Sequence, residues 1–262
     1  MLKNKTMTKI FAICMIMLSS TSVLSAADVV QTSLRQPLSQ KTFAVLIFTK
    51  TEPGRYQHAS TPVAVESIKN LGVKTGFQVT ASSDPKVFSR QGLLRFDAVI
   101  FINNSGDILN VAQQNAFRKY IESGHGVVIL HAGIRAEEDW PWFSGLLGVR
   151  FSGHPEIQKA SIMLTNREHR VNRGLPKRWQ RQDEWYNFAA ISRDITPLIL
   201  VDESTYEGGI HGDFHPVAWL REQGKGRVFC SVMGHSKGAW SSEIFLRHIT
   251  NGIIYAAVAE ND

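Results

Sequence analysis

Cysteine is nearly absent: the 262 residues hold only Cys14 and Cys230. Cys14 falls in a leader-like segment, so after removal of that segment no intramolecular disulfide can form. Cys230 lies within Arg227-Val228-Phe229-Cys230-Ser231-Val232-Met233, which reads as a buried strand, where a thiol serves as small apolar filler. Long apolar runs are missing too. Beyond residue 27 nothing approaches the roughly 20 apolar residues that a membrane-spanning helix needs. Charge of one sign is also scarce. Of 29 Lys and Arg, three lie in the leader, and 23 Asp and Glu oppose the rest, so the remaining chain carries an excess of roughly +3. With no Lys/Arg-rich run and no basic strip interleaved with aromatics, nucleic acid is not an expected partner. No G-x-G-x-x-G or G-x-x-x-x-G-K-[ST] follows a strand, so no nucleotide cofactor is expected, and there is no compact metal motif such as H-E-x-x-H.

What is present begins with an export signal. Lys3, Lys5 and Lys9 precede an apolar run from Ile10 to Leu18, and Ser25-Ala26-Ala27 supplies small residues for cleavage. Residues 1–27 are therefore expected to be a signal peptide, 28–41 a polar flexible lead-in, and 42–259 a single α/β domain in the periplasm or outside the cell.

The pattern from Phe43 onward alternates. Phe43 to Phe48, Ala98 to Ile102 and Val127 to Leu130 are short apolar runs of the kind buried on both faces of a parallel sheet, and Phe77 to Thr80 also reads as a strand. Between them Ser60-Thr61-Pro62 opens one helix. A second, from Val111 to Ser123, is capped by Asn110 with Gln113 three residues on. Such alternation implies βαβ crossovers and a mostly parallel central sheet flanked by helices. From Pro141 to His215 the rhythm breaks into a short helix, strand-like pieces at Ala160 to Thr165 and Leu198 to Asp202, and long loops. This is expected to be an insertion at the sheet's edge and over the carboxyl ends of the strands. Val217 to Arg221 and Arg227 to Met233 return to strand character, and a last helix runs from Ser241 to Ala257.

In an open parallel sheet, ligands bind where strands end at their carboxyl side. The residues just past those ends are Lys50, Arg55, Tyr56 and His58; Asn103, Asn104 and Asp107; His131; and Gly234-His235. The insertion adds His154, the run Asp183-Glu184-Trp185-Tyr186, and Asp213 with His215. Aromatics beside carboxylates suit a sugar, whose ring face stacks while its hydroxyls hydrogen-bond, and Trp140 and Trp142 extend such a wall. The alternative for the aromatics is core packing. The histidines also allow a site of two or three imidazoles and one carboxylate, drawn from His58, His131, Glu184, Asp213, His215 and His235, so a divalent metal is the one cofactor left open.

Several ordered segments resemble the trehalose-utilisation (ThuA-like) family: His58-Ala59-Ser60, Asn104-Ser105-Gly106-Asp107-Ile108-Leu109, Gly126 through His131-Ala132, Asp139-Trp140-Pro141-Trp142, Gly153-His154-Pro155, Asp183 to Phe188, His215 to Trp219, and Gly226-Arg227 to Gly234-His235. The resemblance implies a class I glutamine amidotransferase-like (flavodoxin-like) sheet and a role with trehalose or related glycosides through 3-keto sugars. In that fold the turn after the central strand bears a nucleophilic Cys; here His131 occupies it, so acyl-enzyme chemistry is excluded at this position. The expected enzyme has His131 and His235 flanking a sugar and Glu184 or Asp183 handling a proton. His58, Asn104, Asp107, Trp140, Trp142, His154, Trp185, Tyr186, Asp213 and His215 are the expected substrate contacts. The alternative is a non-catalytic carbohydrate-binding or accessory protein.

Overall fold

The computed structural model describes residues 42–259. The chain divides at Gln40 into two units, and all described residues belong to the second. The expected signal peptide and lead-in lie outside the described residues.

The strand–helix alternation gives β1 (Ala44–Phe48), α1 (Thr61–Thr75), β2 (Gln78–Ser82), α2 (Arg90–Leu93), β3 (Ala98–Ile102), the short β4 (Ser105–Gly106), α3 (Val111–Glu122) and β5 (Gly126–Leu130). Then follow the short β6 (Arg135–Ala136), α4 (Pro141–Leu147), β7 (Val149–Gly153), β8 (Gln158–Leu164), β9 (Arg178–Asp183), β10 (Asn187–Ile191) and β11 (Thr196–Asp202). β12 (Pro216–Gln223), β13 (Gly226–Ser231) and α5 (Glu243–Ala257) close the domain. Nine strands form one sheet in the order β2-β1-β3-β5-β13-β12-β11-β8-β9. The ladders from β2 to β13 are parallel. Those from β13 to β9 are antiparallel.

The parallel half follows from the apolar runs. β3 and β5 are buried at every position, because helices cover both faces and no residue can be spared for water. Phe101 of β3 meets Phe117 of α3 and Phe143 of α4 at ring separations of 5.4 Å each. Phe229 of β13 meets His248 of α5 at 5.1 Å. The helix ends obey local chemistry. Asn110 accepts from the Gln113 N–H while the Gln113 side chain accepts from the Asn110 N–H, closing the capping box of α3. Pro62 opens α1, and Gly76 ends it at φ 87°, its N–H donating to the Gly72 carbonyl.

The insertion does two things. Strands β8, β9 and β11 widen the sheet through antiparallel pairs, while β7 and β10 pair separately as a two-stranded ribbon. No helix among the described residues is long and apolar enough to cross a membrane.

Candidate functional site

β5 ends in a sharp turn. His131 has φ 49° and no exposed surface, and residues His131–Ile134 form a short 3-10 turn immediately after the strand. A non-glycine residue in this left-handed region is uncommon and is held there by its surroundings. Gly133 makes the turn possible, since a Cβ at that position would lie 2.8 Å from the Phe101 carbonyl oxygen. The His131 Nδ1 lies 2.9 Å from the Val232 carbonyl oxygen. A carbonyl only accepts, so Nδ1 carries a proton and Nε2 is the ring atom that points outward.

Three other chain segments converge on that atom. His58, from the loop after β1, sets its ring edge-on to His131 with centroids 4.8 Å apart. His235, from the loop after β13, places Nδ1 at 3.3 Å from Nε2 of His131 and 3.0 Å from Oε1 of Glu184. Glu184, just past β9, places Oε2 at 3.4 Å from His131 Nε2. One ligand atom from each of His58, His131, Glu184 and His235 lies within 4.8 Å of every other. These are the groups with which a metal ion could be held. The Tyr186 hydroxyl lies 3.1 Å from His131 Nε2, and the Nδ1 of His58 is buried without a partner.

Burial tunes these groups. It lowers the His58 pKa to about 3, with His131 and His235 adding to the effect, so this imidazole is neutral. For Glu184 burial acts upward, but the His131 hydrogen bond and the nearby His131, His235 and His154 outweigh it and bring the carboxyl to about 2. Burial, then Glu184 and Asp183, raises Tyr186 well above its ordinary value, so its hydroxyl keeps its proton.

The cluster forms the floor of a cavity of about 400 Å³ lined in part by Tyr56, His58, Arg135, Phe151, His154 and Glu184. The β7–β10 ribbon supplies its wall: Phe151 and His154 flank Tyr186 at ring separations of 4.8 and 5.5 Å. His154 Nδ1 lies 2.8 Å from the Pro155 carbonyl oxygen, which places its proton there and leaves the Nε2 lone pair on the cavity side, 3.7 Å from Glu184 Oε1.

Of the residues expected at the site, His58, His131, His154, Glu184, Tyr186 and His235 are brought together. Asp183 is beneath them, 2% exposed. Its carboxylate accepts from the N–H groups of Glu184, Gly234 and His235 and from Arg181 Nε. It thus fixes both Glu184 and His235 and stands in the scaffold, not against the cavity. Trp185 is wholly buried, its Nε1 donating to the Gln158 carbonyl. Trp140 and Trp142 stack on each other beside Phe143 and Phe117, outside the cavity lining. Asn104 donates to the Lys50 carbonyl and Asp107 accepts from the Asp139 N–H. His215 lies behind the cavity: Nε2 donates to the Tyr186 carbonyl at 2.8 Å, and Nδ1 faces Glu203 Oε1 at 2.6 Å. Asp213 is exposed in the neighbouring loop. Arg55 is tied to Glu52 and Glu138. Arg135, Phe151 and Ile157 line the cavity without having been anticipated. Arg135 follows the His131 turn closely enough to have been suspected, whereas Phe151 and Ile157 carry no sequence signal beyond being apolar.

The thiol excluded by its strand position is indeed buried: Cys230 has no exposed surface, and burial drives its pKa upward. Gly234-His235-Ser236-Lys237-Gly238 spells G-x-S-x-G, the pattern of a serine nucleophile. Ser236 is exposed, however, and its Oγ caps the following turn by accepting from the Ala239 N–H.

A family model described as "ThuA: Trehalose utilisation" matches residues 44–256. Among solved structures, a ThuA-like protein from Bacteroides uniformis is 24% identical, with a TM-score of 0.69 over 82% of this chain and 92% of that one. A ThuA-like protein from Parabacteroides merdae is 19% identical, with a TM-score of 0.65 over 82% and 90%. PurLQS from Thermotoga maritima is 13% identical, with a TM-score of 0.53 over 82% and 99%. At these identities the likeness is one of fold, and it is that of the glutamine amidotransferase-like sheet. No curated protein matches the chain.

Proposed function

Because the chain belongs to the ThuA family, described as trehalose utilisation, we propose that it is an enzyme that converts a glycoside or its 3-keto derivative in the cavity above His131. The observation that carries this reading is the junction of three imidazoles, one carboxylate and a ring-sized cavity at the carboxyl ends of β1, β5 and β13. Trehalose utilisation supplies the substrate class, and the cavity supplies groups suited to proton transfer.

For a ketone-bearing sugar the step is removal of the proton on the carbon beside the carbonyl. The C–H electron pair moves toward the carbonyl oxygen, giving an enediolate that is then reprotonated or expels the neighbouring glycosidic oxygen. His154 is the best placed base, since its Nε2 lone pair faces the cavity. Glu184, with a pKa of about 2, is a weak base and serves better as a fixed negative charge. Tyr186, protonated and 3.1 Å from His131, is placed to donate to the developing oxyanion. Arg135 on the cavity wall adds positive charge. With Trp140, Trp142 and Trp185 packed away from the cavity, the aromatic surface offered to a sugar is that of Tyr56, Phe151 and Tyr186.

The test is incubation of the purified protein with matched 3-keto and unoxidised glycosides, followed by NMR. Consumption of the keto sugar at least 100-fold faster than in buffer is expected. Calorimetric binding of a disaccharide with no conversion of either sugar would favour the accessory role instead. The leader of residues 1–27 supports periplasmic or secreted action as part of the proposal, and mass spectrometry of the exported protein, expected to begin near Asp28, checks it.

A further inference from the structure

We propose that His58, His131, His235 and Glu184 bind one divalent first-row transition ion of the zinc or cobalt class, which expands to a fifth coordination position on the cavity side when a substrate oxygen arrives. A zinc ion with ligands at about 2.0–2.1 Å sets its tetrahedral ligand atoms about 3.3–3.4 Å apart. Contacts at 3.3 Å between His131 and His235, 3.4 Å between His131 and Glu184, and 3.0 Å between His235 and Glu184 are spacings of that size.

The donor set is one that a cation would satisfy. Nδ1 of His131 is committed to the Val232 carbonyl, so Nε2 is the atom left for a ligand, and it faces Glu184 Oε2 at 3.4 Å. Either a proton on Nε2 or a metal ion between the two groups relieves that approach. His58 Nδ1 is buried beside them without a partner. A metal ion satisfies the four groups at once. Three imidazoles with one carboxylate select a borderline transition ion over magnesium or calcium, which take oxygen ligands.

The outer contacts are those of a metal centre. The Val232 carbonyl fixes the His131 tautomer, and Asp183 holds the backbone of both Glu184 and His235. His58, Glu184 and His235 all line the cavity, so a bound sugar reaches the ion. There the ion would polarise a carbonyl or vicinal hydroxyl oxygen as a Lewis acid.

The ligand set is argued from geometry alone, while its part in the chemistry rests on the sugar-converting reading. The full chain is stripped with a chelator, dialysed and titrated separately with Zn²⁺ and Co²⁺ by calorimetry, with metal content measured after gel filtration. About one ion per chain is expected, with visible absorption for Co²⁺. The variants Glu184→Gln and His235→Gln, checked for fold by circular dichroism, should each weaken binding at least 100-fold. Failure of the wild type to retain either ion, or unchanged affinity in both folded variants, overturns the assignment. Retention of an ion by a protein that converts no sugar upholds the site and removes the sugar reading. Full sugar conversion by the stripped protein leaves the sugar reading standing and overturns the ion's part in it.

Discussion

Asp183 gathers four donors inside the protein, among them the Arg181 guanidinium, whose carbon lies 4.0 Å from the centre of the Phe245 ring. Removing one partner of a buried pair leaves the other charge uncompensated, at about 3–5 kcal/mol. Asp183→Ala is therefore expected to lower stability by about 3 kcal/mol or more in urea denaturation; a loss below 1 kcal/mol contradicts its scaffold role. His248 is another buried polar residue, its Nε2 lying 3.1 Å from Ser231 Oγ. Burial, then Arg181, holds its pKa at about 3. Below about pH 6.5 the unfolded chain takes up a proton that the native state refuses, so this residue's contribution is full above 6.5 and falls toward pH 3. Between pH 7 and pH 5 it amounts to about 2 kcal/mol. His248→Gln should flatten the pH dependence by that amount, and parallel wild-type and variant curves would refute it. At this scale the histidines were legible as residues following strands. The tryptophans were not, because an aromatic beside a carboxylate reads alike whether it stacks on a sugar or, as Trp185 does, fills the core.

Among the elements, those made from continuous apolar runs could be read directly: β3 is Ala98–Ile102 in sequence and structure alike. The capping box placed the start of α3 for the same reason, since Asn110 and Gln113 satisfy N–H groups that the helix leaves free. Asn110→Ala should reduce stability by about 1 kcal/mol in chemical denaturation. No change there would show that the box adds nothing. β9 was missed because Arg178–Asp183 reads RWQRQD, a polar edge strand without an apolar run. β7 and β10 were missed because their register is broken by irregularities between Asn187 and Ala190. The packing of α5 is set by Gly252, where a Cβ would lie 2.2 Å from the Phe229 ring. Gly252→Ala is expected to push the helix from the sheet and cost about 1–3 kcal/mol, which thermal unfolding can follow; an unshifted melting temperature contradicts that close approach.

The whole molecule joins two halves of one sheet, and the site needs both. The parallel half delivers His58, His131 and His235 from the ends of β1, β5 and β13, as the strand–helix alternation implied. The antiparallel half delivers Glu184 from the end of β9, and the β7–β10 ribbon brings His154 and Tyr186 over the cavity. The sequence exposed the first set through its apolar runs. The second depends on which insertion strand pairs with which, and only tertiary packing decides that. His215 and Asp213 illustrate the gap: residue type groups both with Glu184, yet His215 binds the Tyr186 carbonyl from behind the cavity and Asp213 lines a different one beside Glu203. The central claim is proton transfer at the carbon beside a sugar ketone, with His154 as base. The direct measurement is NMR of a 3-keto glycoside incubated with the protein in D₂O. With the wild type that carbon should lose its protium, either to deuterium or to a carbon–carbon double bond as the glycosidic oxygen leaves, and at least 100-fold more slowly with His154→Gln. Conversion with the original hydrogen retained at that carbon, or equal rates in the variant, would contradict the account.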